Sequence, residues 1–96
     1  MNERERRRLT RDKANRRSRI IARLRHMVSE TEQFIRDVEW WNNHRTDAPP
    51  FDCEWERLNL PVFRRLLAAW VSGEQPNPAD EAYVATIASM SEPPAV

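Results

Sequence analysis

Apolar positions recur at helical spacing through the middle of the chain. One series steps by three and four residues, and a second recurs every seven residues beside it. The first series is Ile21, Leu24, Val28, Thr31, Ile35 and Val38, and the second is Ile20, Met27, Phe34 and Trp41. Together they form a wide stripe on one side of a helix. No proline or glycine comes before Pro49, so the pattern predicts one helix over about residues 3–44.

The pattern changes before Ile20, where polar residues occupy every side of the predicted helix. Asn2 and Glu5 have the spacing of a capping box, which satisfies free N–H groups at a helix start. Oppositely charged residues four positions apart can pair along a helix, and this spacing occurs at Glu3–Arg7, Arg8–Asp12 and Asp12–Arg16. A helix that is polar all round projects into solvent or awaits a partner. Residues 1–19 are therefore predicted to form a basic helical arm.

Two shorter helices follow, and each is bounded by residues that cap helices. Asn59 and Pro61 suit the first turn of one helix and Gly73 suits its end, which predicts a helix over about residues 60–72. Asn77 and Pro78 suit the start of the next helix, predicted over about residues 78–90.

The segments outside these helices contain paired prolines. Residues 46–58 include Pro49 and Pro50, which favour an extended connector. Phe51 and Trp55 are interpreted as apolar side chains that hold this connector down. Pro93 and Pro94 fall in residues 92–96, which are predicted to be a frayed tail.

The predicted fold is all-α. A long N-terminal helical spine, residues 3–44, carries the two shorter helices packed back on it, because short connections favour antiparallel neighbours. Residues 20–91 then form one small helical domain. The heptad-like stripe also allows pairing with a second copy of the chain, so a monomer and a homodimer both stay open.

Charge divides the chain into two unequal parts. Residues 1–25 contain ten Arg and one Lys against three acids and carry +8, whereas the remaining 71 residues carry −7. Such asymmetry is typical of a basic segment attached to an acidic body. The residues expected to contact nucleic acid or an acidic partner are Arg4, Arg7, Arg8, Arg11, Lys13, Arg16, Arg17, Arg19 and Arg23.

Aromatic and arginine side chains near the end of the spine form a second candidate surface. Tryptophan and arginine are enriched among the residues that dominate protein interfaces. The possible partner anchors are Trp40, Arg45, Phe51 and Trp55. Core packing is the competing interpretation of the tryptophans, because the chain has few other large apolar residues.

The sequence offers little support for catalysis or for a bound group. His44, Asp47, Asp52, Cys53 and Glu54 lie close together but lack the paired Cys or His units of structural zinc sites. Cys53 with His44 lacks a third group to orient the base. We therefore expect no enzymatic activity, no metal and no cofactor. A lone cysteine and the absence of an apolar run of membrane-spanning length favour a cytoplasmic protein without membrane contact.

Two functions fit these features, and no stretch matches a known DNA-binding motif. The first is a non-enzymatic nucleic-acid-associated protein whose basic arm contacts phosphates, since dense arginine gives phosphate affinity without sequence choice. The second is a small protein-binding inhibitor or assembly factor that docks through the arm or the Trp/Arg surface. Small helical inhibitors carried by phages or mobile elements have this profile, which is an argument by analogy alone.

Overall fold

The computed structural model describes residues 2–45 and 47–91, and these contain three helices. They are α1 (Glu3–His44), α2 (Glu54–Ser72) and α3 (Pro78–Ser91). The all-α fold with a long N-terminal spine and two shorter helices is confirmed. The predicted tail, residues 92–96, lies outside the described residues.

The spine is one continuous helix of 42 residues, which spans about 63 Å at 1.5 Å per residue. Its start is capped as predicted, because the Asn2 side chain accepts a hydrogen bond of 2.8 Å from the backbone N–H of Glu5. Once a helix is formed over its packed part, extension into a polar part adds one hydrogen bond per ordered residue. Helix therefore continues through residues that have no core to bury.

The second helix lies antiparallel along the spine. Arg57 pairs with Glu39 at 2.8 Å, and Arg64 pairs with Glu32 at 3.3 Å, so later residues of α2 meet earlier residues of α1. The apolar core lies along this contact and extends beyond both pairs. Its buried members are Leu24, Val38, Cys53, Leu60, Phe63 and Leu66. The apolar stripe predicted from the sequence is thus covered by α2 along the series from Ile21 to Val38. Phe34 and Trp41, which belong to the series that recurs every seven residues, stay about half exposed.

The start of α2 differs from the prediction, since it begins at Glu54 and not near residue 60. Asp52 accepts a hydrogen bond from the Glu54 N–H at 2.8 Å, and Glu54 and Glu56 place acids at the positive end of the helix dipole. Pro61 therefore lies inside the helix and not in its first turn. Its missing N–H leaves the Arg57 carbonyl without the usual partner, on a side of α2 where both residues are exposed to solvent.

The third helix is joined to α2 by polar contacts as well as apolar ones. Arg65 donates two hydrogen bonds to Asp80, at 3.1 and 3.2 Å, and these bonds raise the pKa of Arg65 above its usual value. The Tyr83 hydroxyl donates to the side-chain oxygen of Asn59, which is almost fully buried. Asn59, predicted to be a helix cap, instead links two helices. Among the described residues, α3 packs on α2 and not directly on α1.

The ends of the α2–α3 connection follow the sequence prediction closely. Gly73 adopts a left-handed φ of 79° at the end of α2, a conformation that glycine reaches without a Cβ clash. The Asn77 side chain accepts a hydrogen bond of 2.9 Å from the Ala79 N–H at the start of α3. Because the connection is short and both helix ends are capped, α3 folds back along α2.

The connector between α1 and α2 is held differently from the prediction. Phe51 and Trp55 are 51% and 54% exposed, so burial of their rings does not hold the connector down. Instead, the Asn42 side-chain amide donates to the Phe51 carbonyl at 3.0 Å and accepts from the Phe51 N–H at 2.8 Å. Cys53, in contrast, is buried, and its sulfur accepts a hydrogen bond from Arg57 that is the main cause of that guanidinium's raised pKa.

Candidate nucleic-acid interface

The first 13 residues of α1, residues 3–15, extend beyond the packed body and are here called the projecting segment. All of them are exposed, and in the described parts of the chain none makes a hydrogen bond or ion pair with α2 or α3. The first such contact comes at Arg17. At the rise of an α-helix, the projecting segment is about 20 Å long.

Few cations of this segment are neutralised by neighbours. Arg7 pairs with Glu3 at 2.9 Å, as its spacing predicts. The other predicted pairs, Arg8–Asp12 and Asp12–Arg16, do not form within the part of the chain that the structure describes. The basic residues of the projecting segment without a carboxylate partner in this set are Arg4, Arg6, Arg8, Arg11 and Lys13, and Arg16 just beyond it also has none. Their guanidinium and ammonium groups face water, so phosphate contact would not first require breaking an internal ion pair.

Five of these unpaired cations lie on two opposite flanks of the helix, and Arg16 lies between the flanks. Arg4, Arg8 and Arg11 follow i, i+4, i+7 spacing and therefore share one flank. Arg6 and Lys13, seven residues apart, share a flank about 180° away at 3.6 residues per turn. A helix of this kind can reach negative charge on both sides at once. The number of basic residues in the sequence does not reveal this two-sided arrangement. Their spacing does reveal it once the residues are placed on a helix.

Four of the predicted contact residues lie at the root of the arm or just beyond it. Arg17 donates to the carbonyl oxygens of Trp70 and Val71 at 3.0 and 3.1 Å, in the last turn of α2. A cation there complements the negative end of the α2 dipole and satisfies carbonyls that lack helical partners. Arg17 thus has a structural role that the sequence did not reveal. Arg19 donates to the Asn15 carbonyl at 3.5 Å, while Arg16 and Arg23 border a groove between α1 and α3.

The aromatic candidates form two small groups at the other end of the spine. Trp40 is 53% exposed; it stacks on His44 with ring centres 4.2 Å apart and meets Trp41 edge-on at 5.1 Å. The Arg45 guanidinium lies over the Phe51 ring, 5.1 Å from its centre. No ring contact joins Trp55 to either group among the described residues. The predicted anchors are therefore accessible but do not form one continuous cluster.

The described residues give no geometric support for a metal site or a membrane-spanning helix. No group of three or more His, Cys, Asp or Glu side chains there is arranged to hold a metal ion. None of the described helices combines the length and the apolar character that crossing a bilayer requires. Comparison with protein-family models, curated proteins and solved structures finds no match for this chain.

Proposed function

We propose that the protein binds nucleic acid without enzymatic chemistry, by laying its projecting segment between two phosphate strands. The observation that carries the proposal is the placement of unpaired cations on opposite flanks of an exposed helix. An α-helix with side chains is about 10–12 Å in diameter, and the major groove of B-form DNA is about 12 Å wide. Arg4, Arg8 and Arg11 would then face one strand while Arg6 and Lys13 face the other.

Charge and anchoring both favour this mode of binding. Arginine forms bidentate hydrogen bonds with phosphate, and such contacts fix position without reading base sequence. Arg17 secures the root of the segment to the end of α2, so the helix keeps a defined direction as it leaves the body. The −7 charge carried by the residues after 25 repels phosphate and leaves the arm as the contact surface. The buried free thiol of Cys53 is compatible with the reducing cytoplasm in which we place the protein.

The proposal is tested by removing each flank separately. The flank variants are Arg4→Gln/Arg8→Gln/Arg11→Gln and Arg6→Gln/Lys13→Gln, and each is expected to bind duplex DNA at least tenfold more weakly in a mobility-shift titration. The matched control, Arg36→Gln/Arg45→Gln/Arg64→Gln, removes as much charge as the first variant but from the body. It is expected to bind like the unaltered chain. Unchanged affinity in both flank variants would disprove the proposal, and loss in only one would restrict contact to a single strand or surface.

Docking on an acidic protein partner is the second candidate, favoured by the half-exposed rings of Trp40, Phe51 and Trp55. An inhibitor or assembly factor of this kind would use these rings and Arg45 as anchors. Co-purification from the native host, with and without nuclease, separates the two functions. Under the nucleic-acid proposal, nuclease removes the co-purifying material. A protein that stays bound after nuclease, and is lost on Trp40→Ala or Trp55→Ala, would support this second candidate.

A further inference from the structure

An apolar groove opens between α1 and α3, with α2 as its floor. Its volume is about 630 Å³. Its apolar lining comes from all three helices and comprises Ile20, Leu24, Met27, Leu66, Trp70, Val84, Ala85 and Ala88. Because the backbones of α1 and α3 stay apart among the described residues, the groove between them is open to solvent. Arg16 and Arg23 lie on its α1 side, and Glu81 lies on its α3 side.

The same line of α1 that forms one wall of the groove continues beyond it with exposed aromatic side chains. Ile20 and Met27 line the groove, and Phe34 and Trp41 follow at the same seven-residue interval. Phe34 is 46% exposed and Trp41 is 48% exposed. One end of the line thus offers an apolar groove, and the other end offers two rings with matching spacing.

We propose that the occupant of the groove is α1 of a second copy of this chain, in an antiparallel, two-fold symmetric pair. Phe34 of each copy packs on Met27 of the other, and Trp41 of each copy packs beside Ile20. A single register satisfies all four contacts, because both halves of the line have the same spacing. Such self-complementarity is what a two-fold interface requires. The contact extends from Ile20 to Trp41, about 32 Å along each helix.

Charged residues along the edge of the same face fit this register. It places Arg23 of one copy next to Asp37 of the other, and symmetry repeats the pair. Within the part of the chain that the structure describes, Arg23 has no carboxylate partner, and Asp37 accepts only from the Gln33 amide, at 2.8 Å. In antiparallel helix pairs, flanking charges of opposite sign select register and orientation. This complementarity favours a second copy over an unrelated helix.

One contact in this register opposes pairing. The two Glu30 side chains approach each other near the symmetry axis, and each lies 3.1 Å from His26 of its own helix. Like charges that face each other destabilise an interface. Glu30→Gln is therefore expected to tighten the dimer several-fold, an effect that general loss of fold or solubility would not produce.

Sedimentation equilibrium over a wide concentration range tests the proposal. The unaltered chain is expected to follow a monomer–dimer equilibrium, and Phe34→Gln is expected to weaken it about tenfold or more. Leu9→Gln is the matched control, since Leu9 is similarly exposed, at 51%, but lies in α1 outside the contact from Ile20 to Trp41. Equal weakening by both variants, or a chain that stays monomeric at the highest concentration, would overturn the proposal.

A charge exchange tests the orientation directly. Arg23→Glu and Asp37→Arg each place like charges together in their own homodimers, so each variant alone is expected to be largely monomeric. Mixed in equal amounts, they form a heterodimer in which both flanking pairs are attractive again. Both residues are exposed, so the two variants should keep the helical content of the unaltered chain by circular dichroism. A mixture that remains monomeric would refute the antiparallel register.

Discussion

Raising the salt concentration is expected to weaken nucleic-acid binding steeply. Each phosphate neutralised by a cation releases condensed counterions, which gives a slope of about −0.9 in log affinity against log salt. With five flank cations engaged, the slope for the unaltered chain is about −4.5. A rise from about 50 to 200 mM salt then lowers affinity by roughly five hundredfold. Fluorescence anisotropy of a labelled duplex over a salt series measures this slope.

The variants make the slope diagnostic of the surface involved. Arg4→Gln/Arg8→Gln/Arg11→Gln removes three contacts and is expected to lower the slope to about −1.8. The body control with Arg36, Arg45 and Arg64 replaced by Gln should keep the original slope, because only phosphate contacts release counterions. If the slope changes in the body control and not in the flank variant, the arm is not the contact surface.

The sequence predicted the helix ends best where the capping chemistry is local. Asn77 with Pro78, and Gly73 with its positive φ, act within one turn of the backbone that they cap. Asn59 and Pro61 formed an equally good local signal and were misleading. The competing start at Asp52 and Glu54 prevailed, and it brings buried Cys53 and the Arg57–Glu39 ion pair against the spine. Only tertiary packing distinguishes the two starts.

The charge of the candidate site could be predicted, but the use of individual arginines could not. Arg17 resembles its neighbours in the sequence, yet its side chain caps α2 from 53 residues away. Residues joined at such separation are not recognisable by helical spacing. For the same reason, the exposure of Phe34 and Trp41 became visible only once α2 was seen to cover the other side of the stripe.

Replacing Phe63 by Ala is expected to have the largest effect on folding. Phe63 is 2% exposed and lies in α2 among the buried residues that join it to α1. Removing a buried phenyl ring costs about 3–5 kcal/mol, from lost transfer free energy and from the cavity that remains. Small domains have only about 5–15 kcal/mol of total stability. This domain has a thin core between helices, so Phe63→Ala should remove most of its stability.

Thermal denaturation followed by circular dichroism measures the effect of this substitution. A loss of about 1 kcal/mol shifts the midpoint of a domain of roughly 60–100 residues by about 4–8 °C, so Phe63→Ala should lower it by at least about 12 °C. Leu58→Ala is the matched control in the same helix, because Leu58 is 67% exposed. Exposed substitutions usually change stability by less than about 0.5 kcal/mol, which corresponds to a shift of a few degrees. Similar midpoints for the two variants would show that α2 does not stabilise the spine through Phe63.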